Sequence, residues 1–152
     1  MGRVAPAAAM LAIGVIVGRA LMPGSNFESG RAGTVVASRA LAHALDSQLA
    51  AAQSGSTSIG ISFRNRDGQD CRTFSSGETA GLACRSADGW VVERLVRERG
   101  ENAGASYRMA GSAMPDALRQ AVQAAIVGEP FDANQEARAR AKGWRGAGKD
   151  GF

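Results

Sequence analysis

An unbroken apolar run near the start of the chain most constrains what the sequence can fold into. The 19 residues from Val4 to Met22 carry one charge, on Arg19. As a helix, the run is about 28 Å long, close to the hydrocarbon thickness of a bilayer, and Arg19 can extend its side chain to the interface. The run has no polar face, which disfavours a soluble helix. We therefore predict a membrane anchor over residues 1–22.

A cleaved signal peptide is the alternative interpretation of this run. Arg3 and the amino group would form its positive region, Ala7–Val17 its apolar core and Gly18–Ala20 a small-residue cleavage site. The bulky Leu21 and Met22 continue the apolar character past that site. An uncleaved anchor is therefore favoured.

Two further features concern how the membrane helix could pair with a copy of itself and how it is joined to the rest of the chain. Gly14 and Gly18 form a G-x-x-x-G pair through which two membrane helices can pack, which allows a homodimer. Residues 23–33 are rich in glycine and serine, a composition typical of a flexible linker. We expect this linker to separate the anchor from a folded domain.

The chain has only two cysteines, Cys71 and Cys84, and both lie in a segment with strand character. In an exported domain, two cysteines on neighbouring strands most often form a disulfide. Closing a loop of about 14 residues contributes about 3 kcal/mol to stability. We predict one structural disulfide, with a redox switch as the less favoured alternative. Two cysteines and the single His43 are too few for a zinc site, so we predict no metal and no cofactor.

Apolar alternation and turn residues predict an antiparallel sheet of four to five strands. In the first strand, Ile59, Ile61 and Phe63 alternate with small residues, and Asn65–Gly68 supplies the following turn. The predicted strands are Ile59–Phe63, Cys71–Phe74, Leu82–Arg85, Trp90–Arg97 and, as a fifth, Tyr107–Ala110. In the fourth strand, we expect Val92 and Val96 on one face. Because both faces of that strand are apolar, it suits a position inside the sheet or under helices.

A first helix is predicted from Thr34 to Gln53, before the sheet. Its narrow apolar stripe consists of Val35, Leu41, Leu45 and Leu49, with alanine between them. This helix is expected either to lie on the sheet or to pair with a copy of itself.

Two further helices are predicted after the sheet. One runs from Met114 to Ile126, with a proline in its first turn and Gly128 at its end, and its amphipathic face should cover the sheet. The other is capped by Asp132 with Gln135, runs through Ala141 and stops at Gly143. Residues 34–144 are therefore predicted to form one α+β domain, and residues 145–152 a tail.

The chain is basic, with a net charge of +4. Acidic residues are mixed among the arginines along most of its length, whereas nucleic-acid binding needs a basic face interleaved with aromatics. We therefore predict no nucleic-acid partner. Basic residues gather only near the end, at Arg138, Arg140, Lys142, Arg145 and Lys149. We interpret them as a solvated helix face and tail, with contact to anionic lipid head groups as the alternative.

The polar residues that a catalytic site would need have a simpler explanation. They are Ser75, Ser76 and Glu78 in a predicted loop over Ser75–Gly81, and Asp67 and Asp70 beside a predicted turn. Serine, aspartate and glycine form turns for conformational reasons. The only histidine, His43, is expected on the surface of the alanine-rich first helix, so a Ser-His-acid arrangement would need a long-range coincidence. We predict no catalytic residues; an enzyme would instead have a polar pocket near Asp67 or Glu78.

Several short segments, behind the predicted membrane helix, resemble the extracytoplasmic half of bacterial transmembrane anti-sigma factors. These segments are Ile61–Phe63, Cys71–Phe74, Gly81–Arg85, Gly89–Trp90 and Tyr107–Ser112. The resemblance implies a single-pass inner-membrane protein with its C-terminal domain in the periplasm, acting in signal transduction and transcription regulation. Members of that family sequester a sigma factor through a cytoplasmic domain, often with a zinc-binding His and Cys-x-x-Cys motif. Only Met1 to Arg3 precede the apolar run here, so a sigma factor is expected as a partner only where such a domain precedes this sequence.

Two functions are therefore expected from this sequence. The first is a sensory or regulatory domain that binds an unidentified envelope protein or a small ligand, with cleavage near Met22–Gly33 as one means of regulation. The alternative is a structural envelope module that assembles with other proteins and has no regulatory role.

Overall fold

The computed structural model of the protein describes residues 25–97 and 114–146. Its strands are β1 (Phe27–Ser29), β2 (Val35–Ala37), β3 (Thr57–Arg64), β4 (Asp70–Ser76), β5 (Thr79–Ser86) and β6 (Gly89–Arg97), and its α-helices are α1 (Arg39–Ser47), α2 (Asp116–Ala125) and α3 (Ala133–Ala141). Within these two ranges, no helix is long and apolar enough to cross a bilayer. The predicted anchor at residues 1–22 with Gly14 and Gly18, the predicted strand Tyr107–Ala110 and Lys149 lie outside the described residues.

The predicted α+β class and the antiparallel sheet are confirmed, but the sheet has six strands rather than four or five. Their order is β1-β2-β6-β5-β4-β3, and all neighbours are antiparallel. The two strands that the sequence prediction omitted are β1 and β2, each three residues long. As expected for a strand with two apolar faces, β6 lies inside the sheet.

The prediction of a helix from Thr34 to Gln53 was wrong at both ends. Helix α1 begins after Ser38, whose hydroxyl accepts a hydrogen bond from the Leu41 N–H at 3.5 Å as an N-cap. Val35 lies in β2, and Leu49 lies in a turn after the helix. The segment predicted to be a linker, residues 23–33, contains the strand β1.

Two register shifts change which side chains share a face of the sheet. In β3, the shift lies between Ile59 and Ser62, so Ile59 packs in a different core cluster from Phe63. In β6, a shift separates Val92 from Val96, which also pack in different clusters. The simple alternation predicted for both strands was therefore wrong, because each bulge adds a residue and moves the following side chains to the opposite face.

Helices cover both faces of the sheet. On one face, α1 and α3 enclose a cluster of Leu41, Leu45, Ile59, Phe74, Ala83, Trp90, Ala139 and Trp144. On the other face, α2 covers Phe63, Cys71, Ala80, Leu82 and Cys84 with its own Leu118 and Val122, as its amphipathic pattern predicted. Strands β4 and β5 are therefore buried from both sides.

The ends of α2 and α3 follow local sequence signals. Pro115 is the N-cap of α2, which ends at Ala125, one residue before the predicted end. In α3, the Gln135 N–H donates to the Asp132 carboxylate at 2.7 Å, and the Asp132 N–H donates to the Gln135 side chain at 2.8 Å. This is the predicted capping box. Gly143, at φ 68°, ends the helix as predicted.

Candidate functional site

The predicted disulfide is present at the centre of the sheet. Cys71 on β4 and Cys84 on β5 are direct partners across the two strands, with their Cα atoms 4.0 Å apart. Both residues are buried under α2. The bond therefore joins the two most enclosed strands of the domain.

A buried ion pair lies on the opposite face of β4, under α1 and α3. Arg72 Nη2 donates to Glu136 Oε1 at 2.6 Å, and both side chains are almost fully buried. The Ser62 hydroxyl donates to the same Glu136 oxygen at 2.9 Å and accepts a hydrogen bond from Arg72 Nε at 2.9 Å. The Ala50 N–H donates to Glu136 Oε2 at 3.0 Å. These bonds join α3 to β3, β4 and the chain after α1.

The C-terminal carbonyl groups of α1 are all partnered, although the helix ends inside the domain. The carbonyl of Leu45 accepts a hydrogen bond from Arg72 Nη1. The carbonyl of Asp46 accepts one from Trp144 Nε1 at 2.9 Å, and the carbonyl of Ser47 accepts one from Arg140 Nη1 at 3.2 Å. The remaining carbonyl of the last turn accepts a backbone N–H. Two of these donors are cations, which the dipole of α1 attracts to this end.

Trp144 covers the buried arginine from the side of α3. The guanidinium carbon of Arg72 lies 4.0 Å from the centre of the Trp144 ring. Trp144 packs edge-on against Trp90, whose Nε1 donates to the Asp46 carboxylate at 2.8 Å. Burial lowers the pKa of Arg72, and its hydrogen bond to Glu136 opposes that shift. Within the described residues, every buried side-chain polar atom has a hydrogen-bond partner, so this network acts as a structural clamp.

The candidate polar residues are dispersed over the domain rather than gathered into one site. Ser75 and Ser76 lie in β4, not in the predicted loop, and the Ser76 hydroxyl accepts hydrogen bonds from Asn26 and Thr57. Glu78 is exposed in the short turn that follows. His43 is exposed on α1, as predicted. Across residues 25–97 and 114–146, no group of three or more His, Cys, Asp or Glu side chains is placed to hold a metal ion.

One cleft, of about 370 Å³, lies beside Asp67, between the β3–β4 turn and α2. Its charged side chains are Arg66, Asp67, Glu93 and Arg94, and Cys84 also lines it. The two signs of charge are balanced, and no histidine lines the cleft. The cleft lies beside Asp67, one of the two positions at which a polar pocket was expected if the protein were an enzyme.

A second cleft, of about 300 Å³, lies between α3 and the β3–β4 turn, and we name it the basic cleft. Its lining residues are Arg64, Asp70, Phe131, Gln135, Arg138, Ala139, Lys142, Arg145 and Gly146. Three of the five basic residues noted near the end of the sequence, Arg138, Lys142 and Arg145, therefore lie together here. Arg140 instead contacts α1, so the predicted cluster is divided between two places.

The carboxylate at the base of the basic cleft belongs to Asp70, which sequence reasoning had interpreted as a turn residue. Arg64 donates to Asp70 Oδ1 from Nε at 3.1 Å and from Nη2 at 2.9 Å. The Asp70 side chain is 1% exposed. Burial raises the pKa of Asp70, and the positive charges of Arg64 and Lys142 oppose that shift. The guanidinium of Arg64 also lies over the ring of Phe131, 5.7 Å from its centre.

Sequence reasoning missed the buried pair Arg72 and Glu136, although one signal for it was present. In the predicted strand Cys71–Phe74, Arg72 shares a face with Phe74, so an arginine occupied an inward position and required a partner. Nothing in the local sequence of α3 identified Glu136 as that partner. Comparison with models of known families, with curated proteins and with solved structures finds no match to this chain.

Proposed function

We propose that this chain is a membrane-anchored periplasmic regulatory domain that resembles the extracytoplasmic half of a transmembrane anti-sigma factor and acts by binding a protein or a small ligand. The Cys71–Cys84 disulfide supports an oxidising compartment, since such bonds are rare in the cytosol. The segments that carry the resemblance, as far as Trp90, lie in strands β3 to β6. The two clefts beside the β3–β4 turn are suited to ligands.

The position of β1 carries the regulatory part of the proposal. This strand follows the predicted anchor after only a few residues, and it pairs with β2 at three positions, from Phe27 with Ala37 to Ser29 with Val35. A three-residue edge strand is among the parts of a sheet that open most easily. Binding that stabilises or loosens this edge would therefore change the accessibility of the segment next to the membrane.

Three contacts hold β1 and the residue before it on the domain. The Asn26 carbonyl accepts the Ser38 N–H at 2.9 Å, and its side-chain amide donates to the Ser76 hydroxyl at 3.1 Å. The Phe27 ring packs on Phe74, with the ring centres 6.3 Å apart. Each of these contacts contributes little free energy, and none is part of the buried Arg72 network. Such contacts suit an edge strand that opens and closes reversibly.

The gene supplies the first test of the proposed function. We expect an in-frame segment upstream of Met1 that encodes several dozen residues with a His and Cys-x-x-Cys pattern, next to a sigma-factor gene. A stop codon directly upstream, without a sigma-factor gene nearby, would contradict the regulatory proposal. That outcome would favour the alternative, a structural envelope module.

The compartment is tested separately, in growing cells. Thiols are trapped with acid, and the protein is then alkylated with a heavy maleimide reagent with and without prior reduction. We expect alkylation of Cys71 and Cys84 only after reduction, because a periplasmic domain keeps its disulfide. Free thiols without reduction would contradict the periplasmic location.

A further inference from the structure

We propose that the basic cleft binds a phosphate-bearing ligand, either a free phosphorylated molecule or the phosphate of a lipid head group. This inference deepens the ligand binding proposed above, because it names the ligand chemistry of one of the two clefts cited there, and its own support is the set of side chains that line that cleft. It names a ligand chemistry for a cluster that the sequence alone favoured as a solvated surface.

The cations that line the basic cleft repel one another. Arg138 lies in the last turn of α3, Lys142 is the C-cap of that helix, and Arg145 follows three residues later. Like charges that face one space repel one another. With Arg64 from β3, the three converge on a space of about 300 Å³. An anion bound there would remove this repulsion.

The carboxylate in the lining does not compensate these charges at the cleft surface. The Asp70 side chain is 1% exposed, whereas that of Arg64, which donates two hydrogen bonds to it, is 40% exposed. The cations from α3 and its C-terminal extension, Arg138, Lys142 and Arg145, are exposed. An incoming anion therefore meets positive charge first and the carboxylate only behind it.

The cleft also offers one preorganised donor, the Arg64 guanidinium. Asp70 and the Phe131 ring hold the Arg64 guanidinium in place, and the capping box occupies the Gln135 side-chain oxygen. A methyl group on Gly146 would clash with the Gly68 carbonyl, so the chain after α3 packs closely on the turn. A donor fixed in this way binds an anion with little ordering cost.

Phosphate suits these donors better than a single carboxylate does. A phosphate monoester carries a charge of about −1.5 to −2 and three acceptor oxygens, and arginine binds such groups with its forked donors. A volume of about 300 Å³ is at the lower end of ligand sites, enough for a phosphate with a small organic group. The Phe131 ring supplies an apolar wall for that group.

Calorimetric titration of the full chain in a neutral detergent with inorganic pyrophosphate tests the inference. We expect one saturable site, with binding about tenfold weaker or worse in R138Q/K142Q, since the loss of even one charged hydrogen bond weakens binding by about that factor. The matched control is R31Q/R39Q, which removes the same charge from two exposed positions far along the chain. Equal affinity in the wild type and R138Q/K142Q would overturn the proposal.

Chemical protection distinguishes the two sources of phosphate. Phenylglyoxal modification of Arg138 and Arg145 is compared with that of Arg39 by mass spectrometry. Protection by pyrophosphate in detergent supports a free ligand, and protection in bilayer discs that contain phosphatidic acid, but not in phosphatidylcholine discs, supports a lipid head group. Absence of protection in both settings would overturn the proposal for either source.

Discussion

Arg72 and Glu136 are 64 positions apart in the chain, yet they form an ion pair of 2.6 Å in which both side chains are buried. The pair is embedded in hydrogen bonds from Ser62 and Ala50 to Glu136 and from Arg72 to the end of α1. Two charges in such a place are stable only with complete hydrogen bonding. The pair therefore fixes α3 and α1 in one arrangement on the sheet.

Glu136→Ala should destabilise the domain strongly. It leaves the Arg72 guanidinium buried without its counter-charge and the Ala50 N–H without its acceptor, and removing one partner of a buried pair costs about 3–5 kcal/mol. Urea denaturation gives the free energy of unfolding. Glu129→Ala, at an exposed position before α3, is the control and should change it little. A loss below about 1 kcal/mol in E136A would contradict the role assigned to this pair.

The double variant C71A/C84A should lose about 3 kcal/mol of unfolding free energy, because the unfolded chain no longer contains a closed loop of about 14 residues. The same denaturation experiment is repeated with reductant in both proteins. Reductant should lower the stability of the wild type toward that of the variant and leave the variant unchanged. If reductant destabilised both proteins equally, the effect would not come from the disulfide.

Local signals in the sequence predicted several parts of this structure. The Asp132 and Gln135 capping box and the Gly143 stop were predicted because each depends on residues within a few positions of one another. The disulfide was predicted because Cys71 and Cys84 lie on adjacent strands of one short β segment. Each of these features depends on residues that lie close together in the sequence.

Other parts depend on contacts between distant segments, which the sequence pattern does not contain. Strand β2 exists because it pairs with β6, through Val36 opposite Val91, although Val35 fitted a helical stripe. The bulges in β3 and β6 likewise depend on the partner strand. At Ile61, for example, the N–H donates to the Thr73 hydroxyl at 2.9 Å. The basic cleft could not be predicted for the same reason, since Arg64 and Arg138 come together only in the folded chain.

Phe27→Ala should make the segment between β1 and β2 more accessible to trypsin. The Phe27 ring contacts Phe74, and losing about 1–2 kcal/mol of apolar burial would raise the open population of this edge about five- to thirtyfold. Arg31, exposed between β1 and β2, is the cleavage site to monitor by mass spectrometry under native conditions.

The control for this experiment is Val127→Ala, which shortens an exposed apolar side chain away from β1. Its cleavage rate at Arg31 should match that of the wild type. Equal rates in F27A and the wild type would show that Phe27 does not hold the edge strand closed. That result would contradict the proposed role of β1 in regulation.

The Asp70 carboxylate should make stability depend on pH in an unusual direction. Burial raises its pKa above the ordinary value of about 3.9, so the folded state binds the proton more tightly than the unfolded state. Stability from this group is therefore present at low pH and is lost as the pH rises through the raised pKa. Arg64 and Lys142 limit the effect, because their charges favour the carboxylate.

Asp70→Asn removes that titration, so the stability of the wild type relative to D70N should fall as the pH rises above the ordinary carboxyl pKa of about 3.9 and through the raised pKa of Asp70. Urea denaturation at several pH values measures both proteins, and D67N, at an exposed position, makes the same change in net charge as a control. The opposite slope would mean that Arg64 and Lys142 outweigh burial at Asp70. The base of the basic cleft would then hold a fixed negative charge at all of these pH values, and anion binding there should weaken accordingly.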